Sequence, residues 1–250
     1  MNSPTSAPVA GKPGVFKYKI RALTGVFLLV LITGGIVWKF TVIPEPAFQQ
    51  KSLSQWLDEL RTAALPQGYH SNMPPVRAIH AIGTNSIPWL MHELHQADKD
   101  TLRSSINSLL DKQSLIKARF LDSHTRIVRA TFCFQILGPI AEPAIPELLA
   151  SVERLPGYIP NALADIGPAA IPALQVCLTN QKEYATTRGP FSPIPGNTIG
   201  AIFNAKQRDR LSASDLAPLL PQIRHWSQST NTHAAFYAEH LLKDLDKTSP

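Results

Sequence analysis

Asn161-Ala-Leu-Ala-Asp-Ile-Gly167 is followed two residues later by Ala170-Ile-Pro-Ala-Leu174, and this phrase decides the fold. It occurs twice more. One copy is Ile127-Val-Arg-Ala-Thr-Phe-Cys-Phe-Gln-Ile-Leu-Gly138 with Pro143-Ala-Ile-Pro-Glu-Leu148. The other is Val76-Arg-Ala-Ile-His-Ala-Ile-Gly83 with Ser86-Ile-Pro-Trp-Leu90. The alanines, Ala78 and Ala81 in one copy and Ala162 and Ala164 in another, let a helix approach its neighbour closely. Gly83, Gly138 and Gly167 suit the left-handed residue just past a helix end. Pro88, Pro146 and Pro172 suit the first turn of the next helix, where a missing N–H costs nothing. Helix, glycine, short turn, proline, helix predicts an antiparallel helical hairpin. Three copies predict an all-α domain in which each hairpin buries a face of the next.

The pattern continues on both sides. Ser52-Leu-Ser-Gln55 is a capping-box start, and Leu53, Trp56, Leu57 and Leu60 then form an apolar stripe. Thr101–Phe120 carries Leu102, Ile106, Leu109 and Leu110 on one further helix face. Leu216, Leu219, Leu220, Ile223 and Trp226 predict a helix starting near Ser214. Ala234, Ala238, Leu241, Leu242 and Leu245 give a strongly amphipathic last helix. One stretch breaks the rhythm: residues 186–197 hold three prolines and two glycines, which predicts a long loop, functional or spacer. Trp56, Trp89, Phe132, Phe134, Trp226, Phe236 and Tyr237 sit at helical spacing and read as core.

The phrase resembles the short bacterial form of HEAT-like repeats, in which Ile/Leu-Gly-Pro and Ala-Ile-Pro-x-Leu recur. Gly138-Pro139 and Gly167-Pro168 carry the likeness, Gly83-Thr84 is a looser copy, and the resemblance covers residues 76–180. Its departure is spacing, since the glycines stand 55 and then 29 residues apart. The resemblance implies a right-handed α-solenoid of stacked helical hairpins that binds a protein or peptide on its concave surface, without a cofactor. On that reading the expected partner contacts are Arg77, His80, Arg126 and Arg129 on inward helix faces. Arg188 and Phe191 join them from the 186–197 loop.

Ahead of this domain, residues 22–38 are 17 positions without a charge, preceded by Lys12, Lys17, Lys19 and Arg21. As a helix they would span about 26 Å, and snorkelling by Lys39 extends the segment to residue 43, close to the ~30 Å hydrocarbon core. The chain therefore divides into a disordered basic segment, 1–21, a transmembrane helix, 22–43, and a HEAT-like domain, 44–250. The cationic flank predicts a cytoplasmic N-terminus, which places the domain on the extracytoplasmic side of the cell membrane. A cleaved secretory signal is the alternative, and it exports the domain equally.

The net charge of +6 suggests nucleic acid, but its distribution argues otherwise. Five cations lie in the first 39 residues with no acid among them, leaving 19 cations against 18 acids afterwards. No nucleic-acid partner is expected of such a domain. Cys133 and Cys177 form no metal-ligand pattern, and whether they pair is open. His92-Glu-Leu-His95 lacks the four-residue spacing of a zinc-protease helix. No nucleophile elbow or phosphate loop occurs. The expectation is a non-catalytic scaffold without metal or cofactor. A HEAT-like lyase acting on a protein client and an oligomerising envelope subunit are the alternatives.

Overall fold

In the computed structural model, residues 43–63, 70–97, 122–180 and 194–248 are described, with Ser108 and the pairs 185–186 and 189–190. The predicted basic segment, nearly all of the predicted transmembrane helix, and the 101–120 helix apart from Ser108 lie outside these residues. Among the described residues no helix is long and apolar enough to cross a membrane. Glu45–Pro250 forms a compact unit of its own, and its architecture is mostly helical.

The unit opens with a small feature that the sequence did not signal. Strands β1 (Ala47–Phe48) and β2 (Lys51–Ser52) pair antiparallel, with Ala47 opposite Ser52 and Phe48 opposite Lys51. Gln49 and Gln50 make the two-residue turn at φ 49° and 63°. Helix α1 (Leu53–Ala63) follows, and the expected capping box is there. Ser52 N donates to Gln55 Oε1 at 2.8 Å, and Gln55 N donates to Ser52 Oγ at 3.4 Å. Its stripe of Leu53, Trp56, Leu57 and Leu60 is buried.

Three corners follow, each a helix, a positive-φ glycine and a second helix with proline in its first turn. Helices α2 (Pro74–Ile82) and α3 (Ile87–Ala97) flank Gly83–Ser86; α4 (Ser123–Leu137) and α5 (Ile145–Ser151) flank Gly138–Ala144. Helices α6 (Ile159–Ile166) and α7 (Ile171–Thr179) flank Pro168–Ala170. Each connection is a stretch of 3₁₀-helix. The three glycines do take positive φ, at 58°, 54° and 97°, but their ψ values are −136°, −129° and −151°. That is the mirror image of extended backbone rather than the left-handed helical region. Asn can enter the latter, whereas the former is nearly glycine's alone.

Within the expected loop, β3 (Ala185–Thr186) pairs antiparallel with β4 (Gly189–Pro190). The loop is shorter than expected, because helix α8 (Ile194–Gln207) already includes Ile194-Pro-Gly-Asn197. Pro195 sits in the first turn, where it costs no hydrogen bond. Ile194, Pro195, Gly196 and Thr198 are buried, so tertiary packing overrides the local preference for a turn.

A fourth corner then follows, of a different form. After α8 the chain turns at Asp209, φ 56°, in place of a glycine. Helix α9 (Ala213–Leu216) starts at a Ser212/Asp215 capping box, close to the predicted Ser214. The 3₁₀ stretch Ala217–Leu219 leads into α10 (Leu220–Ser227), with Pro221 in its first turn. Helix α11 (Thr232–Thr248) closes the unit and buries Ala234, Ala238, Leu241 and Leu245.

The main helix contacts from α4 to α6, α8 and α11 skip the intervening helices. Helix α3 packs on α4, α4 on α6, α6 on α8, and α8 on α7 and α11. Helix α6 is enclosed: Ala162, Leu163, Ala164 and Ile166 are fully buried. Its alanines allow close approach, and burying one leucine such as Leu163 contributes about 1.5–3 kcal/mol. The aromatic residues follow this core with one exception. Trp56 and Phe134 are buried, but Phe236, expected inside, is 53% exposed.

Candidate functional site

Helix α2 starts at Pro74-Pro75, whose fixed φ suits the first turn, and it presents Arg77 and His80 one turn apart. Arg77 is exposed. No salt bridge joins Arg77 to a carboxylate among the described residues. His80 Nε2 donates to the Ile136 carbonyl at 2.7 Å, which ties α2 to α4.

The other two arginines named above are placed differently. Arg126 is 2% exposed, and its guanidinium forks onto Glu93 of α3, with Nε to Oε2 at 2.7 Å and Nη2 to Oε1 at 2.9 Å. Arg129 pairs with Asp58 of α1. Arg126 thereby ties α4 to α3, and the partly exposed Arg129–Asp58 pair ties α4 to α1. Arg188 and Phe191 lie outside the described residues.

Helix α4 begins at Asp122, whose carboxylate accepts from Thr125 N and from Thr125 Oγ1, each at 2.8 Å. Those two bonds hold the Asp122 carboxyl below the usual carboxylate range.

A groove of about 330 Å³ lies between the β1 turn and α2, lined by Phe48, Gln49, Pro74, Arg77, Ala78 and Ala81. Its surface is mostly apolar, and Arg77 is the charged residue among the described residues that line it. The turn is pinned from behind: Trp56 Nε1 donates to the Phe48 carbonyl at 3.1 Å, and Lys51 Nζ stands 4.4 Å from the Trp56 ring centroid. Lys51 also pairs with Glu59 at 2.6 Å. A second concavity, about 300 Å³, is lined by Leu178, Thr179, Pro221, Gln222, His225 and Trp226.

One buried charge cluster has only a faint trace in the sequence. Asp165 is buried on α6 and accepts from Arg208 Nε at 3.1 Å and Nη2 at 2.6 Å. Burial pushes its carboxyl above the usual range, against the opposing pull of Arg208 and Arg210. Arg210 Nη2 donates to the Gln135 carbonyl at 3.2 Å, beside Gly138. The available clue was that Asp165 is the one charged residue between Arg154 and Lys182. Among the described residues, no group of three or more His, Cys, Asp or Glu side chains converges as a metal site would.

Compared with protein-family models, with curated proteins and with solved structures, the chain matches none of them.

Proposed function

We propose that this protein is a membrane-tethered scaffold: a right-handed, HEAT-like α-solenoid that holds a protein or peptide partner outside the cytoplasmic membrane without catalysing a reaction. The observation that carries the reading is the Arg77 groove, an apolar trough whose cation has no salt bridge among the described residues. The series of contacts from α3 to α4, α6, α8 and α11 supports the solenoid, since such arrays bury between units what no single unit can bury. The charge-free run at residues 22–38 with its cationic flank supports the tether.

Two measurements test this. Photo-crosslinking from Ala81 in intact membranes should capture a discrete protein partner. A phosphatase reporter fused after Pro250 should be active outside the cytoplasm; a reporter that reads cytoplasmic sinks the topology.

A second reading is an envelope subunit that assembles through its last helix. Exposed Phe236, with Tyr237 at 5.3 Å and His240 at 4.1 Å between ring centroids, supports it. Phe236→Ser should then lower the oligomeric state in light scattering.

A further inference from the structure

We infer that the groove between Phe48 and helix α2 receives a segment of a partner protein, with apolar side chains on its floor and a carboxylate side chain on Arg77. The inference rests on the scaffold reading above and names the face and the ligand chemistry.

Charge assignment comes first. Arg126, Arg129, Arg208 and Lys51 each hold a carboxylate of this chain. Arg77, exposed at the rim of an apolar trough, has no such salt bridge among the described residues. A carboxylate arriving there forms a charge-assisted, bidentate contact beside low-dielectric walls, where it is worth more than on open surface.

The turn points the same way. Gln49 and Gln50 both sit at positive φ, which the two-residue hairpin demands and which Asn-Gly would adopt at far lower cost. The strained turn persists because Trp56, Lys51 and Glu59 hold the strands from behind. Its effect is to set the Phe48 ring and Gln49 opposite Pro74 and Ala78 as the second wall of the groove. The Gln49 amide, with both donors and an acceptor, suits a peptide backbone.

Sign narrows the occupant: the carboxylate cannot come from the chain's own leading residues, because no acid precedes Glu45.

The test is selection from a displayed random-decapeptide library on the purified full chain and on Arg77→Gln, Arg77→Lys and Ala81→Trp. Ala81 is exposed, so the indole fills the groove without entering the core. The wild type should enrich peptides with Asp or Glu between apolar residues. A synthetic member should bind at least about tenfold more weakly to Arg77→Gln, regain most of that with Arg77→Lys, and fail to bind Ala81→Trp. Unchanged thermal unfolding confirms that the variants are folded.

Enrichment without acid preference, or binding untouched by both Arg77→Gln and Ala81→Trp, overturns the groove while the scaffold reading stands. No enrichment at all overturns both. Arg77-dependent capture by phosphatidylglycerol vesicles, but not by phosphatidylcholine vesicles, in the absence of peptide selection would make the groove a lipid site instead.

Discussion

Glu93 of α3 holds Arg126 of α4 in a fork of two hydrogen bonds, 2.7 and 2.9 Å long, and so joins two helices across 33 residues of chain. Removing the carboxylate takes both of these hydrogen bonds from a buried guanidinium, which is costly. Glu93→Ala should therefore lower stability by about 3 kcal/mol in urea unfolding. The double variant Glu93→Leu/Arg126→Met should recover most of that loss, since apolar replacement of a whole buried pair is often neutral. If the double variant is no better than the single one, the pair is not acting as a closed unit.

The corner glycines differ in what a side chain would meet. A Cβ at Gly167 would lie 3.3 Å from the Arg210 carbonyl oxygen, which is backbone and cannot swing away. At Gly138 it would lie 2.9 Å from the Arg210 guanidinium, a movable tip, and at Gly83 no closer than 3.8 Å to Ile140. All three alanine variants should lose about 1–3 kcal/mol from backbone strain. Gly167→Ala should lose the most in thermal unfolding, and Gly138→Ala should also release Arg210 from the Gln135 carbonyl. Equal losses at Gly83 and Gly167 would show that strain alone decides.

Two carboxyls set opposite pH dependences. Asp122 is held low by Thr125, so its contribution is present above about pH 4 and fades as pH falls through its lowered value. Asp165 is pushed up by burial, so its contribution is largest below about pH 4 and fades as pH rises through its raised value. Asp122→Asn, which keeps a cap, should flatten the acid side of a stability–pH curve, whereas Asp122→Ala should cost about 1 kcal/mol at neutral pH. A curve that is unchanged on the acid side in Asp122→Asn would remove Asp122 as the source.

Both thiols are free and buried. Burial pushes the Cys177 thiol up to about 11, and Cys133 is raised further. Thiol-reactive dye should therefore label the folded protein slowly, at a rate that follows its opening, and two sites should react promptly in denaturant. Fast labelling of the native protein would contradict this burial.

The hairpin corners were legible because glycine and proline act on the backbone locally, whatever they later pack against. Helix α8 was not. It is enclosed by α6, α7 and α11, so Ile199, Gly200, Ala201 and Ile202 are all buried and no polar face marks its period. The fourth corner escaped because Asp209 stands where glycine stood in the others. Arg77, Arg126 and Arg129 looked alike in sequence. Their difference lies in carboxylates placed by folding: Glu93 and Asp58 meet Arg126 and Arg129 from 33 and 71 residues away, and among the described residues none pairs with Arg77. Helical spacing carries no information about such meetings. The groove depended on the Gln49-Gln50 turn, which lacks the Asn-Gly signal of a tight hairpin.

The mirror-image backbone at Gly83, Gly138 and Gly167 also has a genetic consequence. Every base change at the first or second position of a glycine codon replaces the residue, and no other amino acid reaches that conformation cheaply. In a saturation-mutagenesis map scored by protein abundance, these three codons should stand as isolated intolerant points. Exposed Pro139 and Thr84, each one residue further on, should accept most substitutions.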